Sequence, residues 1–317
     1  MSANKTPPLL AVRAITKEFA ERGRLFGGGR RVHRAVIDAS FEVYPGETFG
    51  LVGESGSGKT TVGRAVMMLV PPTSGQILFE GDEITQRTPA ELRPIRKRMQ
   101  IVFQDPYSAL NPRMTVGDFV AEPLVIHNVY PNPAERQDYL ATLFGQVGLD
   151  PAFATRYPHQ FSGGQRQRVC IARAIALKPR FIVADEPIAA LDVSIQAQIV
   201  NLFQELQETL GVAYLFISHD LRMIRHLCHR VAVIYKGRIV ELGDTQEIYD
   251  NPLHPYTRML LAAVPVPDPK VERARKRERF EGAQAFEEAD STLEAVAPNH
   301  YLAASRVRTN EKAVVRR

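Results

Sequence analysis

Short apolar runs alternate with longer segments of helical character along most of the chain, a pattern that predicts an α/β fold around a largely parallel sheet. The strand candidates are 36–43, 48–52, 76–79, 100–103, 181–184, 213–217 and 231–241. In 36–43, Ile37, Ala39, Phe41 and Val43 alternate with mostly polar neighbours, which predicts a half-exposed antiparallel strand. Residues 181–184 are all apolar and predict a strand covered on both faces. Residues 231–241 read as a hairpin that turns at Lys236-Gly237. The N-terminal third is therefore expected to be a small β layer beside an α/β core.

Between Asp105 and Pro179 the pattern changes. Helix formers dominate, punctuated by Pro112, Pro123, Pro131, Pro133, Pro151 and Pro158, and the segment reads as a helical subdomain inserted between two core strands. After about Gly243 it changes again. Pro252, Pro255, Pro265, Pro267 and Pro269 bound any helix there sharply. Past Lys270 the chain is charged and alanine-rich, and loose order is expected. The expected units are a catalytic domain over 9–245, with its helical subdomain at about 105–179, an extension over 246–269 and a tail over 270–317.

The first candidate chemistry is a phosphate loop. Gly53-Glu54-Ser55-Gly56-Ser57-Gly58-Lys59-Thr60-Thr61 fits G-x-x-x-x-G-K-[ST], with a strand candidate before it and an apolar helix after it. Glycines let backbone N–H groups turn inward around phosphate oxygens, and the following helix aims its positive end at the anion. Lys59 is placed to reach the terminal phosphates, and the Thr60 hydroxyl to ligate Mg²⁺. The second is acidic: strand 181–184 runs into Asp185-Glu186. Ligands of parallel sheets sit beyond the carboxyl ends of strands, which puts both acids beside the loop. Successive side chains point different ways, so Asp185 is expected to hold Mg²⁺ and Glu186 to polarise the attacking water.

A second glycine motif, Phe161-Ser162-Gly163-Gly164-Gln165, opens a helix with Val169, Ala172, Ile175 and Ala176 as its apolar stripe. Ser162 is a good N-cap, and the two glycines bare backbone amides. This pentapeptide resembles the signature motif of ABC ATPases, and it precedes the acidic strand as in that family. Gln104 resembles the Q-loop glutamine, Ala190-Leu191-Asp192 the D-loop, and His219 the switch histidine. The resemblance covers roughly residues 9 to 269. It implies a P-loop NTPase (RecA-like) core with an antiparallel β subdomain and an inserted α-helical subdomain. It also implies ATP and Mg²⁺ as cofactors and head-to-tail ATPase pairs in which two subunits sandwich each nucleotide.

On this resemblance Lys59, Thr60, Gln104, Asp185, Glu186 and His219 act on the chain's own nucleotide, with Gln104 also near the metal. Ser162, Gly163, Gly164 and Gln165 act on the partner's nucleotide, with Asp192 beside them. Family members stack the adenine on an N-terminal aromatic, for which Phe19 is the candidate here; a core role for Phe19 is the competing reading. Residues 103–116, 192–201 and 251–265 look like the ATPase subunits of bacterial oligopeptide and dipeptide importers. Gly63-Arg64 after the loop fits the second of the two sister ATPases. Some relatives carry a cysteine cluster for an iron–sulfur centre near this C-terminal element; none is present, so no such centre is expected. The implied partners are a second ABC ATPase subunit, two integral-membrane permease subunits and an external substrate-binding protein. The implied place is the cytoplasmic face of the inner membrane. Nickel and glutathione importers share these motifs.

Composition narrows the picture only slightly. No apolar run approaches the roughly 18 residues of a membrane helix. Residues 1–10 lack a basic start followed by a long apolar stretch, so no secretion signal is expected. Cys170 and Cys228, the two cysteines, lack metal-ligand spacing and suit a reducing cytosol. The formal charge of +5 raises the alternative of a soluble ABC ATPase working on nucleic acid or ribosomes. Much of the excess lies in 273–279 and in Arg316-Arg317, which read as solvated runs, and no nucleic-acid partner is expected. A P-loop kinase or GTPase is disfavoured by the second glycine motif and by the lack of N-K-x-D.

Overall fold

The computed structural model describes residues 6–20, 32–189, 191–264 and 292–303. The chain opens with β1 (Leu10–Ala20), β2 (Val32–Val43), β3 (Thr48–Val52), α1 (Lys59–Val66), β4 (Ser74–Phe79) and the short β5 (Asp82–Glu83). Then come α2 (Pro89–Arg96), β6 (Met99–Val102), α3 (Pro106–Ala109), α4 (Val116–Ile126), α5 (Pro133–Gln146) and α6 (Gly163–Ile175). The remainder holds β7 (Phe181–Asp185), α7 (Val193–Leu210), β8 (Ala213–Ser218), α8 (Leu221–Leu227), β9 (Arg230–Tyr235), β10 (Arg238–Asp244), α9 (Thr245–Asp250), α10 (Pro255–Ala262), β11 (Leu293–Ala297) and β12 (His300–Ala303).

Two sheets result. The first, ordered β2-β1-β4-β5, is antiparallel throughout. The second has eight strands ordered β11-β12-β10-β9-β3-β8-β7-β6, parallel from β9 to β6 and antiparallel beyond. The central strands are covered on both faces. Phe181 and Val183 join the core under the antiparallel sheet and α1, whereas Ile182 and Ala184 join the core under α4–α7. Period-two alternation delivers side chains to opposite faces, so a wholly apolar run is what such a strand requires.

The inserted subdomain contains α3, α4 and α5 and packs on α6. Its prolines mostly start helices rather than end them. Pro106 and Pro133 occupy first-turn positions behind the caps Asp105 and Asn132, where a missing N–H costs nothing. Pro112 and Pro131 lie in loops, and Pro123 lies inside α4.

Three expectations need correction. The antiparallel layer begins with β1, which the strand reading above omits and which carries Phe19. In β2 the alternation slips: Asp38 adopts φ 49, Val36 is buried and Ile37 is only half-buried. A bulge there puts an extra residue into one strand. Finally, loose order past Lys270 does not hold for 292–303. Those residues form the hairpin β11–β12, which pairs antiparallel with β10. The basic run 273–279 and the pair Arg316-Arg317 lie outside the described residues.

Candidate functional site

Four neighbouring parallel strands, β3, β8, β7 and β6, end on one side of the sheet, and each hands over a candidate group there. β3 runs into the loop 53–58, β7 into Asp185 and Glu186, β8 into His219, and β6 into Gln104. A cleft of about 340 Å³ at these ends is lined by Ser55, Gly56, Gly58, Lys59, Thr60, Thr61, Gln104 and Glu186, with Phe19, His33 and Ala35 on the antiparallel side.

The loop depends on two of its glycines. Gly58 caps α1 at φ 106, and a Cβ there would lie 2.3 Å from the Ala35 carbonyl oxygen. A Cβ on Gly53 would lie 2.3 Å from the Ile234 carbonyl oxygen. Both contacts are to backbone, which cannot swing aside. Lys59 is buried, and its Nζ donates to the Gly53 and Glu54 carbonyls, at 2.8 Å each. Burial lowers its pKa, against an opposing pull from Glu186 and Asp185.

The two acids face different partners, as alternation requires. Asp185 accepts from Thr60 Oγ1 at 3.0 Å. Glu186 lies 3.9 Å from Lys59 Nζ through one carboxylate oxygen. Its other oxygen accepts from Gln104 Nε2 at 2.9 Å and lies 3.3 Å from His219 Nδ1. The Glu186 backbone has φ 46, and its N–H donates to the Ile217 carbonyl at 2.9 Å, which ties the turn to β8. A non-glycine residue in the left-handed region stores strain of the kind found at functional sites. Thr60, Asp185 and Gln104 offer the hard oxygen donors that suit Mg²⁺.

Burial raises the Asp185 pKa, and the Thr60 hydrogen bond only partly offsets this. A carboxyl whose folded pKa is raised favours folding at low pH, and that contribution is lost as pH rises through the folded value. Asp185→Asn is therefore expected to raise the melting temperature of the nucleotide-free chain at neutral pH by roughly 1–3 °C. The gain should shrink as pH falls, because the wild-type carboxyl is then protonated too. Thermal scans of both proteins between pH 4.5 and 8 check this; an unchanged or lower melting temperature at pH 8 contradicts it.

The signature residues are held apart from the cleft. Ser162 Oγ accepts from the Gln165 N–H at 3.3 Å, and Gln165 Oε1 accepts from the Ser162 N–H at 3.0 Å, a reciprocal capping box that starts α6. A Cβ on Gly164 would come within 2.5 Å of Ile195 Cγ2, so α6 and the first turn of α7 meet at a glycine. Asp192 occupies the N-cap position of α7 without a side-chain cap hydrogen bond and is exposed. Neither Asp192 nor any of Ser162, Gly163, Gly164 and Gln165 lines the phosphate cleft of its own chain. Ala190 lies outside the described residues.

Phe19 does line that cleft; it is 41% exposed, with Lys17 Nζ 5.3 Å above its ring. An exposed ring at a cleft wall suits stacking better than the competing core role. Sequence reasoning missed Tyr256, whose hydroxyl touches the phosphate loop from the C-terminal extension. No local signal could reveal a contact spanning 202 positions.

A glycine-lined loop at a strand end, a following helix and a carboxylate pair across the sheet define a P-loop nucleoside triphosphatase. Family comparison narrows the class. Residues 36–189 match the ABC transporter family, and residues 240–291 match the oligopeptide/dipeptide transporter C-terminal region. The oligopeptide transport ATP-binding protein OppF of Bacillus subtilis is 50% identical over 94% of this chain and 96% of its own length. The glutathione import ATP-binding protein GsiA of Escherichia coli O157:H7 is 48% identical over 93% of this chain, which spans about half (48%) of that relative. Among solved structures, the ATP-binding cassette MJ0796, a dimer bound to ADP and Pi in a post-hydrolysis state, is 28% identical with a TM-score of 0.65, covering 74% of this chain and 98% of that one. Part of the cbiONQ transporter of Clostridium perfringens, cbiO1, reaches 0.66 at 25% identity over 77% and 91% of the two chains. The chain belongs to the ABC transporter ATPases, and its C-terminal region belongs to the oligopeptide/dipeptide group. It is an ATP-binding, ATP-hydrolysing subunit. Among the described residues, no helix is long and apolar enough to cross a membrane.

Proposed function

We propose that this chain powers peptide import by closing on ATP with a second ABC ATPase subunit. The observation that carries this reading is the Glu186 carboxylate, which is gathered with Lys59, Gln104 and His219 at the mouth of the phosphate loop. Backbone amides of 53–61 bind the phosphates, Lys59 leaves the loop carbonyls to contact the terminal ones, and Phe19 stacks the base. Thr60, Asp185 and Gln104 would hold Mg²⁺, which neutralises charge on the phosphate oxygens when bound. Glu186 orients the attacking water and takes its proton. Gln104 and His219 fix that carboxylate, and His219 turns to the γ-phosphate.

The signature caps the partner's nucleotide. Its position away from the chain's own cleft supports this, as does the dimeric, ADP- and Pi-bound relative. A second set of amides on the γ-phosphate favours ATP over ADP, so hydrolysis opens the pair. Two permease subunits dock on the inserted helical subdomain at the cytoplasmic face of the membrane, and an external binding protein delivers the substrate.

The similarity to OppF supports peptide as the cargo, and the similarity to GsiA supports glutathione, itself a small peptide, as the second reading. Reconstitution with candidate permeases and binding proteins is the test. ATP-dependent uptake of labelled tri- to pentapeptides is expected. Uptake of glutathione alone selects the second reading, and uptake of nickel with neither peptide nor glutathione overturns both.

A further inference from the structure

The C-terminal extension reaches into the phosphate loop. Tyr256, on α10, is fully buried, with its ring 4.4 Å from that of Tyr235 on β9. Its hydroxyl oxygen accepts a hydrogen bond from the Glu54 backbone N–H at 3.0 Å. That N–H belongs to the same peptide unit as the Gly53 carbonyl, which accepts from Lys59 Nζ at 2.8 Å. A peptide unit is planar, so tilting its N–H tilts its carbonyl. One plane is therefore gripped by the extension at one end and by the loop lysine at the other. It has little room to turn, because Gly53 sits against the Ile234 carbonyl.

Tyr256 is itself firmly placed. The Tyr256 N–H donates to His254 Nδ1 at 3.1 Å, and burial pushes the His254 pKa down to about 4, so the ring is neutral and able to accept. The Leu253 and His254 N–H groups donate to the buried Glu241 carboxylate, at 2.8 and 3.1 Å. Glu241 also meets His300 Nε2 of the terminal hairpin at 2.8 Å. Burial raises the Tyr256 pKa to about 12, so the phenol stays neutral. A ring needed only for packing would serve as well without its hydroxyl, yet this hydroxyl is aimed at a loop amide.

We propose that Tyr256 is a positioning residue for nucleotide binding: through the Gly53–Glu54 peptide it sets the orientation of Lys59, so the C-terminal extension and the phosphate site are energetically coupled. This rests on reading Lys59 as the phosphate-binding lysine. Coupling is reciprocal, so bound ATP must also steady the extension.

The test uses the full chain with ATP and Mg²⁺. By calorimetry, Tyr256→Phe is expected to weaken ATP binding about three- to tenfold, the effect of one lost neutral hydrogen bond. Its nucleotide-free melting temperature should stay close to that of the wild type, and Lys59→Ala should abolish binding. ATP affinity unchanged in Tyr256→Phe but lost in Lys59→Ala overturns the coupling and leaves the Lys59 reading intact. Affinity unchanged in both overturns the Lys59 reading and the coupling with it. Hydrogen exchange on the wild-type chain needs no variant: α10 amides should exchange more slowly with ATP present, and unaltered exchange there also overturns the coupling.

Discussion

Glu186→Gln is expected to lower steady-state ATP turnover by about a hundred- to ten-thousand-fold while leaving ATP bound. Glutamine keeps the shape of the side chain and can still meet Gln104 and His219, which lie 2.9 and 3.3 Å from the carboxylate. What it loses is the capacity to accept the proton of water. It also removes a negative charge 3.9 Å from Lys59, which should favour the bound anion. Nucleotide occupancy should therefore persist, and the closed pair should accumulate on a sizing column in ATP. Release of phosphate from radiolabelled ATP measures the loss, and turnover within a factor of three of the wild type would rule out Glu186 as the base.

The second large effect is expected in trans. Ser162→Arg places a long cation at the N-cap of α6, where, in the proposed sandwich, it would fill the space of the partner's γ-phosphate. Loss of the cap hydrogen bond alone costs about 1 kcal/mol, which leaves the fold intact. Hydrolysis at the partner's site should fall about a hundredfold or more, whereas ATP should bind the altered chain's own loop normally, because Ser162 does not line that cleft. Mixing the variant with a Lys59→Ala chain separates the two roles, since each mixed pair keeps at most one complete site. Full activity with the signature altered in both subunits would defeat the sandwich.

Much of this site was legible because the chemistry is local. A loop whose glycines leave no room for a Cβ, which would lie 2.3 Å from backbone oxygen, must be written in one stretch of sequence, and so must a strand covered on both faces. The bounds of β3 and β7 are read to within a residue for that reason. β1 was hidden because register shifts between Val12 and Glu18 scramble its alternation. The hairpin β11–β12 was hidden because its strands are short, β11 is mostly exposed and the buried positions of β12 do not alternate, so no apolar period marks them. Gln104, His219 and Asp192 were found only through resemblance, since a single polar residue at a strand or helix end carries no pattern of its own. Tyr256 lies within the resemblance at 251–265, but nothing in that stretch marks its hydroxyl as a partner of the phosphate loop.

The hairpin at 293–303 alters the character of the sheet it joins. Without it, β10 would be a rim strand with bare N–H and C=O groups, ready to template another chain. His300 would leave with it, and the carboxylate of Glu241, which is 0% exposed, would lose its only ring partner among the described residues. The hairpin thus acts as a selvedge: it hems β10 and keeps that strand's edge from becoming an unintended meeting place.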